Sequence, residues 1–160
     1  LGGDCLQTHS GSLVSFDDIT TSPTTAAAIR LAIAIGSSPG CCCTVADASA
    51  AYLQAPMTGP LTYITLPTEV WPAAWCNMRD PVVPLRKAMY GPPLSGTIWA
   101  KYAEAKLKTI GFTPVPSWPS CYSHVTGVFL ALCVDDFMFA GPVDDVANLS
   151  SKVYPRHGTF

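Results

Sequence analysis

The chain has 160 residues, a formal net charge of −2, 12% charged and 49% apolar residues, and a mean hydropathy of +0.29. An average soluble domain carries about 25% charged residues, so this composition excludes a wholly disordered chain, and the net charge argues against a strongly basic nucleic-acid binder. The longest apolar stretches, 26–35 and 127–134, fall short of the ~18 residues that a membrane-spanning helix needs, and no contact with a membrane is expected.

No basic start followed by an apolar core opens the chain, so no secretory signal is read. The seven cysteines (Cys5, Cys41, Cys42, Cys43, Cys76, Cys121, Cys133) are odd in number, and three are consecutive. They read as reduced, small core fillers rather than a disulfide framework or a zinc site. Charge is unevenly placed. Residues 79–108 hold six basic side chains (Arg79, Arg86, Lys87, Lys101, Lys106, Lys108) against Asp80 and Glu104, a net +4, and the remainder carries −6. A surface that faces phosphate and a solvated helix face are both open readings of this segment.

In chain order, residues 1–21 are polar, rich in Gly, Ser and Thr, and read as an irregular arm. Ser22-Pro23 offers an N-cap and a proline for the first helical position, and predicts a mostly buried helix through Ile35, stopped by Gly36 and Ser37-Ser38-Pro39-Gly40. The run 41–46 predicts a buried strand with Asp47 at its C-terminal end. A helical turn over 48–53, closed by Pro56, and a second strand over 61–66 follow. Residues 67–84, with Trp71, Trp75 and four prolines, predict a packed loop with helical turns, and 82–85 a short strand. Between Ser95 and Ile110, apolar Ile98, Tyr102, Ala105 and Leu107 set against Lys101, Glu104 and Lys108 predict an amphipathic helix, with Gly111 as its C-cap. Three prolines make 113–120 extended; strands over 121–125 and 128–134 flank a Thr126-Gly127 turn, and 137–140 form a further apolar run. The last helix is expected over 143–153, with Asp144 and Asp145 in its first turn.

Cys133-Val134-Asp135-Asp136-Phe137 sets two acids inside an otherwise unbroken apolar run. A tight hairpin turn favours Asn-Gly or Asp-Gly, and Asp-Asp has no glycine to relieve the strain. Adjacent carboxylates beside an apolar sheet repel by several kcal/mol at about 4 Å and intermediate dielectric, which a divalent cation would offset. An exposed acidic turn is the other reading of the pair alone. Asp47, at the end of its own strand, brings a third carboxylate to the same sheet edge. Three oxygen donors with open coordination suit Mg²⁺, which takes its remaining ligands from water and substrate phosphates, as in two-metal phosphoryl transfer. The fold class expected is α+β: the order of elements matches a split βαβ unit, the ferredoxin-like βαββαβ pattern, with its last strand missing.

These residues fall in ordered blocks. They are Ile29-Arg30-Leu31-Ala32, then Asp47-Ala48-Ser49-Ala50-Ala51-Tyr52-Leu53-Gln54-Ala55-Pro56, then Leu85-Arg86-Lys87-Ala88-Met89-Tyr90-Gly91 with Trp99 eight residues on. Gly111-Phe112, Pro119-Ser120-Cys121 and Cys133-Val134-Asp135-Asp136 follow. From about Ile29 to Lys152 the chain resembles the reverse transcriptase (RNA-directed DNA polymerase) of copia-type LTR retrotransposon polyproteins. The resemblance implies a partial reverse-transcriptase domain over 1–160, with a fingers-like arm and helix over 1–40 and a palm-like core over 41–160. It implies that Asp47 and Asp135 are ligands of two Mg²⁺ ions, or Mn²⁺, with Asp136 a further ligand or electrostatic support. Ala48 would lend a backbone carbonyl to the nucleotide-bound metal, and Tyr52 would lie under the incoming sugar as a gate against a 2′-hydroxyl. Gly91 would allow close approach of nucleotide or template–primer. Arg86, Lys87, Lys101 and Lys106 would touch backbone phosphate, and Trp99 would pack in the core.

Implied partners are an RNA or DNA template with its primer, deoxynucleoside triphosphates and the remainder of a polyprotein, in an intracellular setting. The chain departs from the family pattern at Cys133, where Tyr is usual, and at Leu94, Gly96 and Thr97, where Gln, Pro and Arg are usual. No basic residue precedes Arg30. The last palm strand, primer-gripping segment and thumb are not read in the sequence. Two other readings stay open: a catalytically inactive retroelement remnant, and a non-catalytic RNA-binding module that uses the basic 79–108 segment.

Overall fold

The computed structural model describes residues 24–92 and 94–153. The N-terminal arm, Ser22, Pro23 and Cys5 lie outside them. The first helix, α1 (Ala26–Gly36), is capped by Thr25, whose Oγ1 accepts from the Ala28 N–H at 3.3 Å. This corrects the expected Ser22-Pro23 start: the helix begins at Ala26, three residues after Pro23, where Thr25 supplies the capping oxygen. The helix is also less buried than expected. Only Ala28 and Ala32 are enclosed, and Leu31 and Ile33 face out. Alanines at i and i+4 form a narrow stripe that lets the backbone approach the sheet closely.

A four-residue helix, α2 (Ala51–Gln54), follows the first strand, β1 (Cys41–Asp47). Next come β2 (Tyr63–Thr65), two 3₁₀ turns at Thr68–Val70 and Ala73–Trp75, β3 (Val82–Pro84), and the long helix α3 (Leu94–Thr109). Four strands complete the order before α4 (Val143–Val153): β4 (Thr113–Pro114), β5 (Cys121–Ser123), β6 (Phe129–Cys133) and β7 (Asp136–Pro142). Five strands form one sheet in the order β1-β7-β6-β5-β4, and every neighbouring pair is antiparallel. The fold is thus α+β. Because β7 lies antiparallel between β1 and β6, those two strands run parallel to each other. β2 and β3 pair separately, as a two-stranded ribbon.

Helices cover both faces of the sheet. Phe137, Phe139, Leu130 and Leu132 point to one side, where they enclose Trp99, Ala103 and Leu107 of α3 and Val146, Leu149 and Val153 of α4. Phe129, Ala131 and Ala140 point to the other, against Ala28 and Ala32 of α1. Strand alternation sorts these sets. α1 and β1 approach closely at Gly36, where an added Cβ would clash with Cys43 Cβ and with the Cys43 backbone nitrogen.

Several expectations are corrected. β1 is an edge strand and only half-buried, because α1 and α4 reach it from either side without enclosing it. Of the six described cysteines, all free thiols, only Cys121 is buried, and Cys43 and Cys76 are exposed, so they are not core fillers as a group. The segment 67–84 is largely exposed rather than packed, apart from half-buried Trp71 and Trp75 among its few covered residues. The stretch 113–120 is not extended throughout: after β4 it turns, with Ser117 and Ser120 at positive φ. On α3 the enclosed positions include Trp99 and Ala103, and Ala105 faces solvent.

The C-terminus of α3 follows the sequence closely. Gly111 takes φ +96, its N–H bonds Lys108 O, and the Phe112 N–H bonds Leu107 O. This is a Schellman closure, and it folds Phe112 into the core beside Leu107. Among the described residues no helix is long and apolar enough to cross a membrane.

Candidate active site

The β1–β7 ladder ends with Asp47 opposite Asp136, and the β6–β7 hairpin ends with Cys133 opposite the same Asp136. The period-two alternation sets Asp136 on the face of Met138 and Ala140, the α1 side of the sheet. Its partners Asp47 and Cys133 share that face, forming a row across three strands. Both carboxylates are exposed. Like charges directly opposite each other on a sheet are unfavourable by roughly 0.2–1 kcal/mol, so the row favours a cation at this end.

Val134 and Asp135 are the two central residues of the hairpin turn. Val134 has φ +54, whereas Asp135 does not lie at positive φ, the sign pattern of a type II′ turn. A β-branched residue with positive φ is a backbone outlier, and it is held by two bonds from outside the hairpin. Trp99 Nε1 donates to Val134 O at 2.7 Å, and the Ala48 N–H donates to Asp135 O at 2.7 Å. Trp99 is buried, as the core reading expects, and also anchors the turn. The expected strain therefore falls on Val134, and Asp136 is already the first residue of β7.

The Asp135 side chain is asymmetric. Its Oδ2 accepts the Tyr90 O–H at 2.6 Å, and its Oδ1 is buried with no partner. Tyr90 reaches this point because residues 86–88 are zipped onto 54–57. Met57 N–H bonds Arg86 O at 2.9 Å, Ala88 N–H bonds Ala55 O at 3.0 Å, and Lys87 Nζ bonds Gln54 O at 2.8 Å. Fully buried Ala51, Ala55 and Ala88 allow that close approach. Tyr52, half-buried on α2, packs its ring 4.3 Å from that of Tyr90.

The electrostatics follow from this geometry. Donation to Asp135 pushes the Tyr90 phenol up to about 12, helped by burial and by the charges of Asp135, Tyr52 and Asp47. Burial, then the Asp135 charge, raises the Tyr52 phenol. Both hydroxyls stay protonated at neutral pH, so Tyr90 is a donor there.

Three distant segments, 47–52, 86–91 and 133–136, therefore meet at one end of the sheet. Of the expected site residues, Asp47, Asp135, Asp136, Ala48 and Tyr52 belong to it. The Ala48 carbonyl already accepts the Ala51 N–H at 3.0 Å. Gly91, next to Tyr90, is exposed at φ +116, a conformation that glycine adopts without strain.

The basic residues are engaged in different ways. Lys87 is tied to Gln54 O, Lys106 lies over the Tyr102 ring at 5.5 Å, and Arg86 and Lys101 are exposed. Lys101 and Lys106, five residues apart on α3, project about 140° from each other. Lys108 pairs with Glu104 at 2.6 Å. The residue that the sequence reading left without a role is Tyr90. It carries no periodic signal, and only the 54–57/86–88 zipper brings it to Asp135.

Among the described residues, no group of three or more His, Cys, Asp or Glu side chains is gathered closely enough to hold a metal ion. No family model, curated protein or solved structure matches this chain.

Proposed function

We propose that the chain is part of an RNA-directed DNA polymerase of the copia-type retrotransposon kind: a reverse-transcriptase palm with part of the fingers, acting by two-metal nucleotidyl transfer. The observation that carries the reading is the meeting of Asp47, Asp135 and Asp136 at one sheet end, with one Asp135 oxygen buried and unpartnered. The topology supports it as well. β1 and β6 are parallel, split by β7 and joined through a crossover that includes α2 and α3, the connection of a split βαβ unit, which a palm would require.

The donors present fit Mg²⁺ or Mn²⁺. All are oxygens, and such an ion is commonly held by one or two carboxylates together with substrate phosphates, so no closed cluster of three is required. Asp47 and Asp135 would hold the ions, with Asp136 beside them. When bound, the ions activate a primer 3′-hydroxyl and offset charge on the departing pyrophosphate. The chain's own part is orientation. Asp135 presents Oδ1, the Ala48 carbonyl has a second lone pair to offer, and the Tyr52 ring, braced by Tyr90, forms a floor for a deoxyribose. Gly91 leaves room for close approach, and Arg86 and Lys101 are free to meet phosphate, as Lys87 and Lys106 are if they leave their present contacts. Template with primer, deoxynucleoside triphosphates and the rest of a polyprotein are the partners on this reading. The RNA-module reading gains nothing comparable, because Lys101 and Lys106 project from different faces of α3 and Lys87, Lys106 and Lys108 are each engaged within the chain.

Primer extension on an RNA template with Mg²⁺ or Mn²⁺ tests the proposal. Extension by the wild type, abolished by Asp135→Asn, is the expected result. RNA binding without extension, unchanged by that substitution, would favour the binding module, and neither activity would favour the inactive remnant.

A further inference from the structure

We infer that Tyr90 is the positioning residue for Asp135, fixing the carboxylate so that Oδ1 is offered to a cation; this rests on the reading of Asp135 as a cation ligand. The backbone of the turn is held by Trp99 and Ala48, but neither bond restrains the side chain. Among the described residues the Tyr90 hydroxyl does so, at 2.6 Å, the length of a strong O–H to carboxylate bond. It engages Oδ2 and leaves Oδ1, buried, without a partner. A carboxylate held in this way at one oxygen is set to ligate through the other. Tyr90 is itself held, by the Tyr52 ring on one side and by the 54–57/86–88 zipper behind it. The support therefore runs from a buried alanine contact, through one phenol, to a single carboxylate oxygen. Outer partners of this kind typically change metal affinity by about 10–100-fold when removed.

The test uses Mn²⁺ as the probe, without nucleotide, on the full chain, with affinity read by calorimetry or from the paramagnetic signal of free Mn²⁺. Tyr90→Phe keeps the ring against Tyr52 and removes only the hydroxyl of a half-exposed side chain. Its metal-free melting midpoint should stay near that of the wild type. Expected are Mn²⁺ binding by the wild type, loss of that binding in Asp135→Asn, and a weakening of roughly 10–100-fold in Tyr90→Phe. Binding by Tyr90→Phe within about twofold of the wild type, with Asp135→Asn inactive in binding, overturns the positioning role and leaves the polymerase reading standing. Mn²⁺ binding that is absent in the wild type, or unchanged in Asp135→Asn, overturns the cation reading itself and this inference with it.

Discussion

Val134 offers the sharpest test of how the acidic turn is built, because replacement by glycine and by alanine separates backbone strain from side-chain burial. Its φ of +54 lies where an L side chain costs roughly 1–2 kcal/mol and glycine costs almost nothing. The side chain is 46% exposed, so either truncation loses a similar, small amount of apolar contact. What distinguishes them is φ. At an ordinary strand position glycine is less stable than alanine by about 0.5–1 kcal/mol. At Val134 the relief of strain exceeds that entropy cost, and Val134→Gly should be the more stable of the two by about 0.5–1 kcal/mol. For a chain of 160 residues this corresponds to a melting midpoint about 1–4 °C higher. Thermal unfolding followed by circular dichroism, with urea midpoints as a check, measures it. Val134→Ala equal to or more stable than Val134→Gly would refute the assignment of positive φ to this residue, and with it the geometry that aims Asp135. Glycine at the turn should also loosen Asp135, so the more stable variant should extend primers less well, as expected where strain serves a site.

Gly36→Ala should destabilise the protein by about 1–3 kcal/mol, because its Cβ would lie 2.4 Å from Cys43 Cβ and 2.7 Å from the Cys43 nitrogen; an unchanged urea midpoint would show that α1 does not seat there. Tyr122, buried and pushed up to about 12 mainly by desolvation, and Tyr90, at about 12 through Asp135, should both ionise late. The unfolded chain loses these protons near pH 10 and the folded chain near 12, so stability should fall as pH rises between those values. Tyrosinate absorbance measures this, and Tyr122→Phe or Tyr90→Phe should each remove one late phase; a titration complete near pH 10 in the wild type would contradict both environments.

The sequence by itself determined those elements whose signals are local. α4 matches its expected span, with Asp144 and Asp145 in its first turn, and α3 ends where Gly111 supplies the left-handed residue that closes a helix. The Thr126-Gly127 turn was legible for the same reason, because turn chemistry acts over a few residues, whereas the β6–β7 hairpin was marked only by two acids breaking an apolar run and not by favourable turn residues. Asp47, Asp135 and Asp136 stood out because charges are rare in this chain and these three end apolar runs. What only the tertiary structure decided is which face and which partner each residue meets. Whether the α1 stripe is covered, whether β1 lies at an edge, and whether a cysteine is enclosed depend on how far neighbouring layers extend, and no local pattern records that. Asp47 comes to lie opposite Asp136 through a register between strands far apart in the chain. Tyr90 reaches Asp135 through a zipper between two further segments. The carboxylates were readable as chemistry, but the phenol that holds one of them became visible only once non-local backbone pairing had brought it there.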